Sequence, residues 1–237
     1  MRLLASLSLV ALLAQPGAAI AETPRLLPAL ERLAEAGNAE AIYHIGMAYH
    51  IGLGVPQDHA KALAAFRTAQ ALGDPLGAYK LGCYYGGQGE GLVDDDSALA
   101  LRYKLVAAEA GYALAQHDVG VHYVRSDNNP LARLWLEKAA AQGSASSLMV
   151  VSAIYNGAPG IEPDAAKTLA YRRLAQAQLP PNEKMSERIK AFEGRMSPED
   201  RQRANEIVRN YHPVPTPLTI KAKAGQRAAQ ALVDAAA

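Results

Sequence analysis

The chain has 237 residues, half of them apolar, with 24 lysines and arginines against 23 aspartates and glutamates. A net charge this close to zero gives no electrostatic drive toward nucleic acid or an anionic membrane surface, and a single cysteine, Cys83, excludes an internal disulfide framework. The apolar content is mostly Ala and Leu, with only two Phe and one Trp, which suits closely packed helices better than strands.

At the N-terminus Arg2 precedes an apolar run from Leu3 to Ala14, the breakers Pro16 and Gly17, and the small residues Ala19 and Ala21 before Glu22. That is the layout of a secretory signal with an A-x-A cleavage site. A retained membrane anchor needs about 20 apolar residues, and this run is shorter. The expectation is cleavage after Ala21 and a mature, monomeric, periplasmic chain with no membrane anchor. Removing residues 1–21 takes Arg2 with it and leaves 23 basic against 23 acidic residues. Residues 22–36 follow as a leading helix, with Leu26 to Ala36 reading as the second helix of a unit that lacks its first.

From residue 37 the chain repeats itself. The first unit, 37–72, reads GNAEAIYHIGMAYHIGLGVPQDHAKALAAFRTAQAL, and further units follow over 73–110, 111–142 and 143–179, the last stopped by Pro180 and Pro181. Gly46, Gly82, Gly120 and, in the fourth unit, Ser152 are small residues inside helices. Glycine there costs roughly 1 kcal/mol relative to alanine, so a neighbouring helix must approach too closely for a larger side chain. Tyr49, Tyr85, Tyr123 and Tyr155 stand three residues later, and Ile45, Leu81, Val119 and Val151 one residue earlier. Spacings of four place these on one helical face. The second helix of each unit carries Tyr103, Trp135 or Tyr171, with Phe66 one place later in the first unit. Gly73, Gly111 and Gly143 close the units where a left-handed C-cap is needed. One hairpin cannot bury enough surface to offset its ordering entropy, so the hairpins must stack. The predicted fold is all-α, a right-handed α-α superhelical solenoid.

Gly52-Leu53-Gly54-Val55 resembles a phosphate-cradling loop only in its glycines. A phosphate loop joins a strand to a helix and continues with Lys-Ser/Thr or a third glycine, whereas Gln57 and Asp58 follow here. The predicted role is a turn, with the glycines at positive φ and Asp58 capping the next helix. The third unit drops these glycines and turns through Ser126-Asp127-Asn128-Asn129-Pro130.

No Ser or Cys is paired by pattern with a base and an orienting acid, so no catalytic residue is assigned. His117 and His122 are five apart and His44 and His50 six apart, not the four-residue spacing that aims two imidazoles at one metal, and no metal or other cofactor is expected. What remains is a surface. In solenoids the first helices line the concave face, and the positions free of stacking are, in repeat register, Tyr43, Tyr79, His117 and Met149, then His44, Lys80 and Asp118, then Met47. Aromatic, Met and mixed-charge residues suit a peptide-binding groove.

The pattern A-x-x-x-[IVL]-G-x-x-Y-x-x-G-x-G-V-x-x-D-x-x-K-A, closing in A-A-x-x-G, resembles the Sel-1-like repeat, a relative of the tetratricopeptide repeat. It runs over residues 37–179 and is fullest in the first unit. The resemblance implies a non-enzymatic scaffold, adaptor or regulator that binds a protein or peptide partner in the cell envelope. The alternatives are a hydrolase or binding protein for cell-wall or β-lactam-type ligands, and a structural subunit of an envelope secretion assembly. The cysteine-rich branch of the family, for which β-lactam chemistry has been proposed, carries a cysteine pair per repeat, and this chain lacks those cysteines.

Beyond the repeats, residues 180–212 read as two capping helices, the later one opened by Ser197-Pro198-Glu199-Asp200. Residues 213–237, Pro-rich and then Ala-rich, read as a flexible tail.

Overall fold

The computed structural model describes residues 18–89 and 91–236, so most of the export signal expected over 1–21 lies outside the described residues. Within them the chain is helical throughout, without strands. Helix α1 (Ala18–Glu35) leads. Four hairpins follow: α2 (Ala39–Ile51) with α3 (His59–Ala71), α4 (Pro75–Cys83) with α5 (Ser97–Glu109), α6 (Ala113–Arg125) with α7 (Asn129–Ala141), and α8 (Ala145–Tyr155) with α9 (Ala165–Gln178). Then come α10 (Glu183–Glu193), α11 (Pro198–Arg209), α12 (Pro217–Ala224) and α13 (Gln226–Ala235). From α1 to α9 each helix packs against its neighbours in sequence, which is the stacking of a solenoid. No helix among the described residues is long and apolar enough to cross a membrane.

Two kinds of turn alternate, and each is dictated locally. Between hairpins, Gly37, Gly73, Gly111 and Gly143 take φ between 81° and 94°. The residue after each glycine then donates its N–H five residues back, as Asp74 does to the Ala69 carbonyl at 2.9 Å and Tyr112 to that of Ala107 at 2.9 Å. This is a Schellman closure, and only glycine enters it without a steric penalty. Within hairpins, the cap residue of the second helix reaches back to the repeat tyrosine. Asp58, Asp96, Asn128 and Asp164 donate their N–H groups to the carbonyls of Tyr49, Tyr85, Tyr123 and Tyr155, each at 2.9 Å. Their side chains accept from the third backbone N–H onward, as Asp58 does from Lys61 at 2.9 Å. The glycine-rich bend that resembles a phosphate loop is therefore a turn whose N–H groups face its own helices.

The loop lengths differ without changing that frame. The second unit extends α4 through a π-helical turn, Tyr84–Gln88, in which Gly87 has φ 109°. The loop of the third unit has no glycine, and Asp127 takes φ 54° there. A left-handed non-glycine residue is strained. Asp127→Gly is expected to raise stability by about 0.5 kcal/mol and Asp127→Val to lower it by about 1 kcal/mol, as read from urea midpoints.

The small residues stand where helices meet. A Cβ on Gly46 would lie 2.7 Å from the Phe66 ring, one on Gly82 2.6 Å from Lys104 Cγ, and one on Gly120 2.5 Å from Leu136 Cγ. Phe66, Lys104, Leu136 and Arg172 share one register in the second helices, each directly after Ala65, Tyr103, Trp135 or Tyr171. In the fourth hairpin the small position is Ser152, and Arg172 Nε donates to its hydroxyl at 3.2 Å. The tyrosines pack beside these contacts: Tyr85 stacks on Tyr103 with centroids 5.8 Å apart, and Tyr155 on Tyr171 at 6.0 Å.

The far end of the stack is covered by α10 and α11, which pack on α9 through Ile189 and Ala204. The expectation of a flexible tail over 213–237 is corrected. After Tyr211 the chain turns back along the row of inter-hairpin turns. Val214 N–H donates to the Ala141 carbonyl at 3.0 Å, and Pro213 seats against Gly143. The Thr216 hydroxyl donates to the Gly111 carbonyl at 2.8 Å. Helix α12, capped by Thr216 with Pro217 at its first turn, then brings Lys221 Nζ to within 2.6 Å of Glu40 on α2. Helix α13 buries Ala229 against Leu26, Leu30 and Ala41. The composition misleads because the prolines hold an extended crossing segment, and alanines let a helix lie close on a surface that already exists.

Candidate interaction surface

The row of positions read from the sequence as a free groove proves largely committed to internal contacts. Tyr43 and His44 are buried, which corrects the expectation that they face a partner. Tyr43 packs with Ile42, Leu76 and Phe66, and Leu218 and Ala222 of α12 close over that cluster. Its hydroxyl pKa is pushed up by burial first and by the neighbouring Tyr112 second. His44 Nε2 stands 3.7 Å from Glu40 and has no hydrogen-bond partner. Together with Leu30, Met47, Ala222 and Ala229 it lines a cavity of about 260 Å³ between α1, α2 and the returning tail. Burial holds its imidazole below the ordinary range.

Between the second and third hairpins the polar groups satisfy one another. The Tyr79 hydroxyl donates to Asp118 at 3.3 Å, and Lys104 Nζ pairs with the same carboxylate at 2.8 Å. Tyr79 meets Tyr112 edge-on with centroids 4.9 Å apart. Cys83 is buried beside them, with its thiol pKa raised by burial, so the thiolate needed for chemistry is disfavoured. His117 Nδ1 is 2.9 Å from the Ser147 hydroxyl.

Lys80 also turns inward. Its ammonium donates to His50 Nε2 at 2.9 Å, which places the imidazole proton on Nδ1, 3.0 Å from the Tyr84 hydroxyl. Tyr84 in turn lies 3.3 Å from His59 Nδ1. The chain Lys80–His50–Tyr84–His59 is a relay of hydrogen bonds around a fully buried tyrosine, so no substrate reaches its centre. No three His, Cys, Asp or Glu side chains converge into a metal-holding group among the described residues.

This relay makes stability depend on pH. Burial, then the Lys80 and His59 charges, push the His50 pKa down to about 4. Burial lowers those of His44 and His117 as well. A histidine held neutral in the fold protonates first in the unfolded chain. Its contribution is therefore complete above an unfolded pKa near 6.5 and is lost as pH falls toward 4. Unfolding free energy is expected to rise with pH across this window. His50→Gln should reduce the slope by up to about 1.4 kcal/mol per pH unit, as measured by urea titrations at several pH values.

Met149 has a different setting from the rest of its row. It lines a cavity of about 730 Å³ between α8, α9 and α10, together with Arg172, Met185, Arg188 and Phe192. The sequence reading missed these residues because it treated 180–212 as a cover for the stack. The signal was present in Lys184 and Arg188, one turn apart on a helix whose other flank is apolar.

The Sel1 repeat pattern matches the chain at residues 39–73, 75–112 and 113–144. No curated protein matches it. Among solved structures, a Sel1 repeat protein from Oxalobacter formigenes superposes with a TM-score of 0.59 at 22% identity, covering 84% of this chain and 91% of that one. A protective antigen of uropathogenic Escherichia coli strains, displaying an SLR fold, gives 0.50 at 21% identity over 82% of this chain. This chain spans only half of that antigen's length. At such identities the likeness is one of fold. Residues 39–144 are thus three Sel1 repeats, and a fourth hairpin at 145–178 is built on the same tyrosine-to-cap turn.

Proposed function

We propose that this protein is a non-enzymatic scaffold, adaptor or regulator that binds a protein or peptide partner in the periplasm. Sel1 repeats are protein-interaction modules. The observation that carries the reading for this chain is where its first-helix face stays open. The returning tail and the internal pairs of Tyr79, Lys80 and Asp118 occupy the earlier hairpins, whereas Met149 borders a large cavity at the end of the stack. Partner recognition belongs at that end. Export and cleavage after Ala21 belong to the same reading and rest on the signal-like N-terminus.

A photo-crosslinking residue placed at Met149, with one at the exposed Leu134 on α7 as control, tests it in the producing cell. Discrete adducts from Met149 alone are expected. Identical patterns from both positions, or none, contradict the scaffold reading. N-terminal sequencing of the mature chain should begin at Glu22.

A further inference from the structure

Resting on that interaction reading, we propose that the cavity between α8, α9 and α10 is a docking site for an acidic peptide segment. Four cationic side chains line it, Arg172, Lys184, Arg188 and Arg195, and no carboxylate does. Among the described residues none of the four is ion-paired with an Asp or Glu. Glu193 on the same helix is engaged elsewhere, with Arg173 at 2.6 Å. Glu183 and Glu187 lie one position back from Lys184 and Arg188, off the lining of the cavity. In a chain whose formal charge is +1, four unpaired cations around one hollow concentrate positive potential there.

The site is partly organised in advance. Arg172 is held by its Nε bond to Ser152 at 3.2 Å, and its guanidinium lies 4.8 Å from the centroid of the Phe192 ring. A guanidinium fixed and partly desolvated in this way suits a planar carboxylate. Burial lowers the Arg172 pKa, because partial desolvation disfavours its charged form. The apolar lining, Met149, Met185 and Phe192, gives flanking side chains somewhere to pack.

Dimensions favour a segment over a single anion. Lys184 and Arg188 are one turn apart on α10, and Arg195 lies just past its end. At 1.5 Å per residue the row extends about 16 Å. That is the length of four or five residues of extended chain, so carboxylates spread along a peptide meet several of these cations while a lone phosphate meets one or two. The Asn156 and Asn182 amides at the cavity edge supply donors for peptide carbonyls.

The test is fluorescence anisotropy on the full chain, using a short dye-labelled peptide that alternates Glu or Asp with Leu or Phe. The same peptide with Gln and Asn in place of the acids is the control. At about 0.1 M salt the acidic probe is expected to bind at least about tenfold tighter than its amide form. Arg188→Glu with Arg195→Glu, both exposed positions, should weaken it by about tenfold or more, whereas Arg188→Lys with Arg195→Lys should stay within about threefold. Should the double reversal disturb folding, Lys184→Glu alone should still weaken binding by about threefold.

Equal affinity for the two peptides, or indifference to the reversals, overturns the proposal. So does tighter capture of inorganic polyphosphate or phosphatidylglycerol vesicles than of the peptide. Crosslinks from Met149 that survive Arg188→Glu/Arg195→Glu refute the acidic chemistry and leave the scaffold reading standing. Loss of all Met149 crosslinks in the unaltered protein refutes the scaffold reading itself.

Discussion

A chain ended after His212 is expected to unfold about 3–5 kcal/mol more readily than the full-length protein, with its urea midpoint lowered accordingly. Among the described residues, the tail ties the third hairpin and the turns at Gly111 and Gly143 to α1 and α2. Its removal uncovers Leu26, Leu30 and the cluster around Tyr43. It also strips a cap. Helix α6 begins after Tyr112, which offers no side-chain acceptor to the helix N-terminus, and the missing acceptor comes from Thr219, to which Ala113 N–H donates at 2.9 Å. The same buried hydroxyl donates to Gln142 Oε1 at 2.7 Å, and Gln142 Nε2 donates to the Gly111 carbonyl and to Gln116 at 2.9 and 2.8 Å. Thr219→Val keeps the shape and deletes the hydroxyl, leaving a buried N–H without its acceptor. It should cost about 2 kcal/mol, and Thr219→Ser much less. A truncated chain with an unchanged midpoint would mean that the tail is not docked in solution.

The same hydroxyl explains why one part of the fold was legible in the sequence and another was not. Turns and hairpins are local: Gly73, Asp58 and the tyrosine three residues after Gly46, with their counterparts in the other units, fix them through bonds to residues at most eleven positions away, and that information repeats every unit. The docked tail depends on Thr219 meeting Ala113 and Lys221 meeting Glu40, contacts separated by more than a hundred residues. No periodicity announces them. The groove positions failed for a related reason. Register says which side of a helix Tyr43 and His44 occupy, but not that α12 and α13 will lie over that side. Lys80 is similar, since its bond to His50 joins two hairpins whose spacing is set only once they pack. Met149 keeps an open cavity beside it: the tail runs from Tyr211 back toward α2, and none of its residues lines that cavity.

Phe66→Ala is expected to cost about 3–5 kcal/mol, among the largest effects of any single substitution in this chain. Phe66 is fully buried and sits at the centre of an aromatic group, with ring centroids 5.9 Å from Tyr84, 6.1 Å from Tyr43 and 6.1 Å from His50. Its ring is also the nearest obstacle to a side chain at Gly46, with Ala65 Cβ next at 3.2 Å, so the two positions are coupled in a way that tests the close-approach argument directly. In the unaltered protein Gly46→Ala forces a Cβ to 2.7 Å from the ring. The overpacking, roughly 1–3 kcal/mol, outweighs a helix-propensity gain of about 1 kcal/mol, and the net effect is destabilising. With Phe66→Ala already in place the ring is gone, and the same Gly46→Ala substitution should turn favourable by up to about 1 kcal/mol. Urea midpoints for the four members of this cycle decide the matter. A Gly46→Ala effect of the same sign and size in both backgrounds would show that glycine is not there to admit the neighbouring helix, and the packing rule inferred for all four hairpins would fall with it.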